Sequence, residues 1–346
     1  MSRAPFALAG TAVRPGGRAT LEIPLAGLYT HTPVTMPAQV VHGRRDGPVV
    51  FVSGAVHGDE INGVEIIRRL LRSPLLRRLQ GTLVAVPIVN VYGFHNRSRY
   101  LPDRRDLNRA FPGFHQGSLA SRLAHTFMDT VVRAADVGID LHTAAINRDN
   151  LPQIRADLND PVLAPLARGF GAPVLLHSAS PEGSLRRAAA EAGIPVMVYE
   201  AGEALRFDET AIRIGLRGVV NVLRALGMLP KPKRAPRTTA VLRTSTWVRA
   251  GQSGILRTQV ALGAAVEEGS TMGVVADPFG EREDAITAPF CGVVIGRSNL
   301  PLVFEGEGVF HVGRSNQAED LEGRLEAAQA RVEEPAPEFV DEPPIV

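Results

Sequence analysis

From Val49 to Val220 the chain alternates short apolar, β-branched runs with segments that carry apolar residues at helical spacing. That alternation constrains the fold more than any other feature. VVFVSGA is a buried-strand run, and GVEIIRRLLRSPLLRRL follows it with arginines on the face opposite its apolar residues. GTLVAVPIVN reads as a strand, LASRLAHTFMDTVVRAA as a helix, and VGIDLHTA as a strand running into a turn. APVLLHS, a helical SLRRAAAEAG and PVMVYEAGE continue the series. Strands separated by helices argue for an α/β unit with a largely parallel sheet flanked by helices. Working residues in such sheets sit at the carboxyl ends of the strands. The residues before Val49 read as short β pieces leading in.

PKPKRAPRTT, residues 230–239, is a proline-rich basic interruption and reads as a linker between a unit over 1–229 and a β-rich unit over 240–314. The second unit has many glycines and no long helical pattern. It carries a weak repeat: Ala250 to Gly254 is matched by Ala288 to Gly292, and V-x-E-G follows in each half, at Val266–Gly269 and Val303–Gly306. Two such halves suggest a small pseudo-symmetric all-β sandwich. From 315 to 346 the chain turns acidic and then proline-rich, and a disordered tail is expected.

Charge excludes less than it first suggests. Residues 319–342 hold nine acids against two arginines, so the whole-chain charge of +2 leaves about +9 on the remainder. No basic run is interleaved with aromatics, and aromatics are only 5%, so nucleic acid is not an expected partner; small anionic substrates account for the excess as well. No apolar run approaches the ~20 residues that cross a bilayer, so no membrane partner is expected. The single cysteine, Cys291, excludes an intrachain disulfide and any cysteine-rich zinc module. The N-terminal MSRAPFALAG lacks the marks of a signal peptide, and a cytoplasmic location is expected.

Within VFVSGAVHGDEINGVEI, His57, Asp59 and Glu60 occupy a turn at the mouth of a strand. Such charges can belong to a solvated loop or a helix N-terminus. They also suit a catalytic zinc, which takes three protein ligands, often two His and one carboxylate, and keeps one position open. The third ligand should be a His at another strand end, and His142 in GIDLHTA fits best. Neither HExxH nor HxxEH occurs, so the helical zinc-protease signatures are absent and the ligands must come from the loops of an α/β sheet. Asp59 and Asp140 could each orient a ligand imidazole, and Asp59 could instead cap the following helix. His42, His95, His115, His125, His177 and His311 are taken as surface or satisfied core histidines.

Four ordered motifs, GAVHGDEING, NRSRYLPDRRDLNRAFPG, DLHTA and YEAGE, resemble the succinylglutamate desuccinylase/aspartoacylase family of the zinc-carboxypeptidase-like superfamily, over about Val49 to Glu203. The resemblance implies one zinc ion per chain on His57, Glu60 and His142. It implies Glu200 as the general base and acid, with Glu203 as its rival three residues on. Asn108 and Arg109 match the pair that grips a substrate carboxylate, and Arg99 matches the arginine that polarises the scissile carbonyl, with Arg97 two residues away. The unit over 240–314 resembles the hammerhead-like biotinyl/lipoyl domain of the family's bacterial branch. Covalent biotin or lipoate would need a lysine at its central hairpin near DPFGE, and the only lysines are Lys231 and Lys233. The unit is therefore expected to narrow the cleft or to support assembly into a homo-oligomer.

The chemistry these residues suit is hydrolysis of an amide in an N-acyl amino acid or related small carboxylate. A zinc carboxypeptidase acting on short, acidic peptides shares the metal and the carboxylate grip and is the alternative. A binding protein with a degenerate site is a third reading, opposed by the full set of His57, Glu60, His142 and Glu200. Acyl selectivity is expected from the stretch Asn147 to Asp160 and from the face of the β unit.

Overall fold

The structure is a computed structural model that describes residues 3–231, residues 239–315 and Gly323. Residues 232–238 of the expected linker and the acidic segment beyond Ser315, Gly323 apart, lie outside the described residues. Strands β1 (Phe6–Leu8) and β2 (Thr11–Val13) pair as a hairpin. Then follow β3 (Arg18–Pro24), β4 (Thr35–His42), β5 (Val49–Gly54), α1 (Asn62–Arg72), β6 (Thr82–Val86), α2 (Val91–His95), α3 (Leu119–Thr130) and β7 (Val137–Ala144). β8 (Arg148–Ala156), α4 (Leu163–Phe170), β9 (Val174–His177), α5 (Leu185–Glu191), β10 (Val196–Glu203) and α6 (Glu209–Ala225) complete the first unit. The rest is β: β11 (Ala240–Leu242), β12 (Ser245–Arg249), β13 (Gly254–Thr258), β14 (Ala265–Val266), β15 (Thr271–Ala276), β16 (Glu283–Thr287), β17 (Gly292–Ser298), β18 (Leu302–Val303) and β19 (Gly308–Arg314).

The centre of the sheet, β6-β5-β7-β10, is parallel, as the strand–helix alternation requires, and antiparallel strands flank it through β4 and β3 on one side and β8 on the other. Both faces of this centre are covered. Val50, Val52, Ile139, Leu141, Met197 and Tyr199 face one apolar layer with α1, α4 and α6. Phe51, Val84 and Val196 face the other, with α3 and α5. Each fully buried apolar side chain contributes about 1.5–3 kcal/mol to this arrangement. The same period-two alternation aims the polar residues: on β10, Val196, Val198 and Glu200 share one face while Met197 and Tyr199 share the other.

β8 goes beyond the sequence pattern, which assigns no element to this stretch. It is an antiparallel strand whose inner edge pairs with β10. Its outer edge is divided: residues 148–150 pair with β17, and residues 153–156 pair with β9. β11 then adds to β9 in parallel. An unpaired edge is a site for aggregation, and the chain covers this one with its own C-terminal strands. Part of the β unit, β11, β12, β14, β17 and β19, thus continues the large sheet, while β16, β15, β13 and β18 form a four-stranded sheet of their own. The two halves of the β unit correspond strand for strand: β13 pairs with β18 and β15, and β17 with β14 and β19.

Candidate active site

The site lies where β5, β7 and β10 end, on the face of the α3 and α5 layer. β5 stops at Gly54, and the chain turns through Ala55, at φ 47°, into His57-Gly58-Asp59-Glu60 before α1 begins at Asn62. A Cβ on Gly58 would stand 2.0 Å from the Gly93 carbonyl carbon, so only glycine lets this turn press against α2. The YEAGE motif closes the other side. Gly202 has φ +75°, and its missing side chain leaves room for the Asn62 amide, which donates to the Ala201 carbonyl at 3.2 Å.

His57, Glu60 and His142 are all buried, and one ligand atom from each lies within 4.8 Å of the others. Both Nδ1 atoms face Glu60: His57 meets Oε1 at 2.7 Å and His142 meets Oε2 at 2.8 Å. Both Nε2 atoms face other carboxylates, Asp106 at 3.1 Å for His57 and Asp140 at 2.6 Å for His142. Ser53 Oγ in turn donates to Asp140. This donor set fits a divalent metal. Ligand imidazoles hold their second nitrogen on a carboxylate, and here both do, which leaves each Nδ1 pointing at a carboxylate it can satisfy through a proton or a shared cation. The electrostatics agree. Burial alone would push Glu60 up, but the two imidazoles hold its carboxyl well below the ordinary range. Burial would lower His57 and His142, but the carboxylates around each raise both above the usual imidazole value.

Glu200 is the register partner of His142 across β10 and β7. Its oxygens are held from β8: Asn150 Nδ2 donates to Oε2 at 2.9 Å, and Arg155 Nη1 stands 3.3 Å from Oε1. Glu203, the rival acid, accepts from the Asn147 backbone and from Asn299 Nδ2, and so clamps the β7–β8 turn to the β unit. It does not line the cleft.

One cleft of ≈ 250 Å³ is lined by His57, Glu60, Arg99, Asn108, Arg109, His142 and Glu200, while Asp59, Arg97 and Glu203 stay out of its lining. Arg99, not Arg97, reaches it, donating from Nη1 to Glu60 at 3.1 Å and from Nη2 to Asp106 at 3.1 Å. Asn108 Oδ1 accepts from the Leu185 amide at 2.9 Å, which ties the DLNR segment to the start of α5. A larger groove of ≈ 980 Å³ near Gly43, Leu76 and Pro230 contains none of these residues, so volume does not locate the chemistry.

Other residues of the site carry no individual signal in the sequence pattern. Asp106 belongs to DLNR, and its place two residues before Asn108 is the clue that could have found it. Arg148, Asn150 and Arg155 come from the stretch expected to govern selectivity. Arg186 enters from α5, and burial together with Arg155 pushes it down to about 10. Trp247 arrives from the β unit. Of the two acids with open roles, Asp140 holds the His142 ring. Asp59 neither orients an imidazole nor caps a helix. The N-terminus of α1 has no side-chain cap, Asp59 Oδ1 is buried without a hydrogen-bond partner, and burial with the Glu60 charge raises its pKa.

A mixed sheet with helices on both faces, extended by C-terminal β strands, is the zinc-carboxypeptidase-like fold of aspartoacylase relatives. Residues 46–226, just over half of the chain, match the succinylglutamate desuccinylase/aspartoacylase catalytic domain, and the chain belongs to that family. It is 27% identical over 256 residues to N-alpha-acetyl-L-2,4-diaminobutyric acid deacetylase of Halomonas elongata, covering 70% of this chain and 75% of the relative. The product-bound ectoine utilization protein EutE (DoeB) of Ruegeria pomeroyi superposes with a TM-score of 0.81 at 25% identity, covering 90% of this chain and 99% of that one. A succinylglutamate desuccinylase/aspartoacylase of Rhodobacter sphaeroides gives 0.76 at 26% identity, over 86% and 96%. Among the described residues no helix is long and apolar enough to cross a membrane.

Proposed function

We propose that this chain is a zinc-dependent deacylase that hydrolyses the amide of an N-acyl amino acid or a related small carboxylate. The observation that carries the reading is the convergence of His57, Glu60 and His142 on one point beside Glu200, each imidazole backed by its own carboxylate. In this reading those three residues hold one Zn²⁺. The ion, when bound, supplies Lewis acidity toward a carbonyl oxygen and toward water. Glu200 takes the proton of the attacking water and delivers it to the departing amine. Asn150 and Arg155 each contact one oxygen of its carboxylate and hold it in place. Asn108 and Arg109 bind the substrate carboxylate, the planar guanidinium fork suiting a bidentate pair. Arg99 stands against Glu60 and Asp106, within reach of a carbonyl oxygen polarised at the same point.

The Halomonas relative carries the name of a deacetylase, which supports deacylation over peptide cleavage. The proposal includes a catalytic unit over 1–229 joined through 230–239 to a β unit over 240–314, a cytoplasmic location and homo-oligomeric assembly. The test assays N-acetyl and N-succinyl amino acids, N-alpha-acetyl-2,4-diaminobutyrate and dipeptides, with zinc analysis of protein purified without chelator. Hydrolysis of acyl amino acids that stops on chelation and returns with zinc is expected. Turnover of dipeptides alone would move the reading to a carboxypeptidase.

A further inference from the structure

Asn150, the donor on Glu200, is placed by two irregularities of the sheet. Between β10 and β8, Glu200 opposes Gln153 and Gly202 opposes Asn150, so β8 uses one more residue than β10 across this interval. The extra residue reverses the alternation of β8 and brings Asn150, three positions from Gln153, onto the face that Glu200 uses. Between β17 and β19, Val294 opposes Val312 and Gly296 opposes His311, so here β17 carries the extra residue. Gly296 is in turn the register partner of Asn150 on the outer edge of β8. Residue 150 therefore stands between Gly202 of the first unit and Gly296 of the β unit.

Gly296 leaves a slot. A Cβ there would stand 2.8 Å from Asn150 Oδ1, 3.3 Å from His311 Cβ and 3.4 Å from the Asp149 carbonyl oxygen. The Asn150 amide thus takes the space that a side chain at 296 would fill, and in that seat its Nδ2 donates to Glu200 Oε2 at 2.9 Å. Hydrogen bonds on both sides of Gly296 resist any retreat of β17. One residue before it, the Ile295 carbonyl accepts from Gln153 Nε2 at 3.0 Å. Three residues after it, the Asn299 backbone donates to the Asn147 carbonyl at 2.8 Å, and Asn299 Nδ2 donates to Glu203 at 3.1 Å. Asn150 is itself buried, so an amide displaced from the slot has little room to turn.

We propose that Gly296 is a positioning residue of the active site: lacking a side chain, it seats the Asn150 amide and through it aims Glu200, so that the β unit sets the direction of the proton-transferring carboxylate. The proposal rests on the deacylase reading for the role of Glu200. A methyl group at 296 would meet first the free end of the Asn150 side chain, and a rotated amide costs the fold less than a shifted strand. The bond to Glu200 Oε2 would be lost, leaving the carboxylate to Arg155, 3.3 Å from its other oxygen.

Two measurements on the full-length chain test this. A double-mutant cycle compares the zinc-loaded unsubstituted chain, Gly296→Ala, Asn150→Ala and the double variant on the N-acetyl or N-succinyl amino acid that the unsubstituted chain turns over fastest. Gly296→Ala should lower kcat by about tenfold, the size of one charge-assisted hydrogen bond, with KM and zinc content near the parent values. Asn150→Ala should lower it about equally. Adding Gly296→Ala to Asn150→Ala should cost less than about a further twofold, because the amide that the methyl group displaces is already gone. A crystal structure of Gly296→Ala should show Asn150 Nδ2 more than about 3.5 Å from Glu200 Oε2, outside hydrogen-bond range. Losses that multiply in the double variant, or a Gly296→Ala structure that keeps the bond, would overturn the positioning role and leave the deacylase reading intact. Should Gly296→Ala alone not fold, recovery of folded protein with the Asn150→Ala rate in the double variant supports the same contact; a double variant that also fails to fold overturns it, since the methyl group then strikes the backbone. If the zinc-loaded unsubstituted chain hydrolyses no N-acyl amino acid, the deacylase reading falls and the role of Gly296 with it.

Discussion

Glu200 and His142 are register partners in the parallel pair β10–β7, so carboxylate and imidazole leave the sheet side by side on one face. A slip of one residue would turn Glu200 into the apolar layer and bring Tyr199 into the cleft. Burial of Met197 and Tyr199 on the opposite face opposes that slip, as does the bond from the Tyr199 hydroxyl to the Ala211 carbonyl at 2.7 Å. The apolar core thus sets the geometry of the polar site.

Glu200→Gln keeps the shape of the side chain and removes its capacity to carry a proton. The variant should retain zinc, measured by atomic absorption after gel filtration, while kcat falls by about 10²–10⁴-fold. Turnover within a few-fold of the parent would assign the proton transfer to another group.

Asp140→Asn removes the carboxylate that holds His142 Nε2 at 2.6 Å. Loss of such a partner weakens metal affinity by about 10–100-fold. Competition against a chromogenic chelator reads the change directly. An unaltered dissociation constant would mean that packing alone orients the His142 ring.

Asn150→Ala leaves the cluster of His57, Glu60 and His142 intact and takes away the donor on Glu200 Oε2. Zinc content and KM should stay near the parent values while kcat falls by about tenfold, because a poorly aimed carboxylate costs about one charged hydrogen bond in the transition state. A rise in KM at constant kcat would instead place Asn150 in substrate binding.

Asp149 gives the fold a pH dependence separate from the site. Burial, and then the charge of Asp208, push it up to about 6 from an ordinary 3.8. Between those values the folded chain holds a proton that the unfolded chain has released, so this group's effect is to lower stability as pH rises from about 4 to about 6, with no further change above that window. Asp149→Asn should gain on the parent in urea midpoint between about pH 4 and pH 6.5. A constant difference between the two proteins across that window would show that Asp149 is not the source.

The sequence by itself determined the parallel centre of the sheet and the order of its motifs. Apolar runs such as VVFVSGA and PVMVYE announce buried strands locally, and a polar residue at the end of such a run can only emerge at the strand's carboxyl end. That is why His57, Glu60, His142 and Glu200 are legible in the sequence and all line one cleft. Other features depend on residues far apart in the chain, which no local period encodes. β8 contains Pro152 and lacks a clean alternation, and it becomes a strand because β10, β9 and β17 supply partners along both its edges. Asp106 reaches His57 across 49 positions of sequence, and Asp140, not Asp59, takes the other ring. The sequence reading prefers Glu200 and keeps Glu203 as its rival, and the contacts of Glu203 with Asn147 and Asn299, at the joint with the β unit, are visible only in the tertiary structure. Trp247 enters the cleft for the same reason. Hydrophobic periodicity is a local property of the chain, whereas the pairing of β17 with β8 is a tertiary event, and that event decided what stands beyond Glu200.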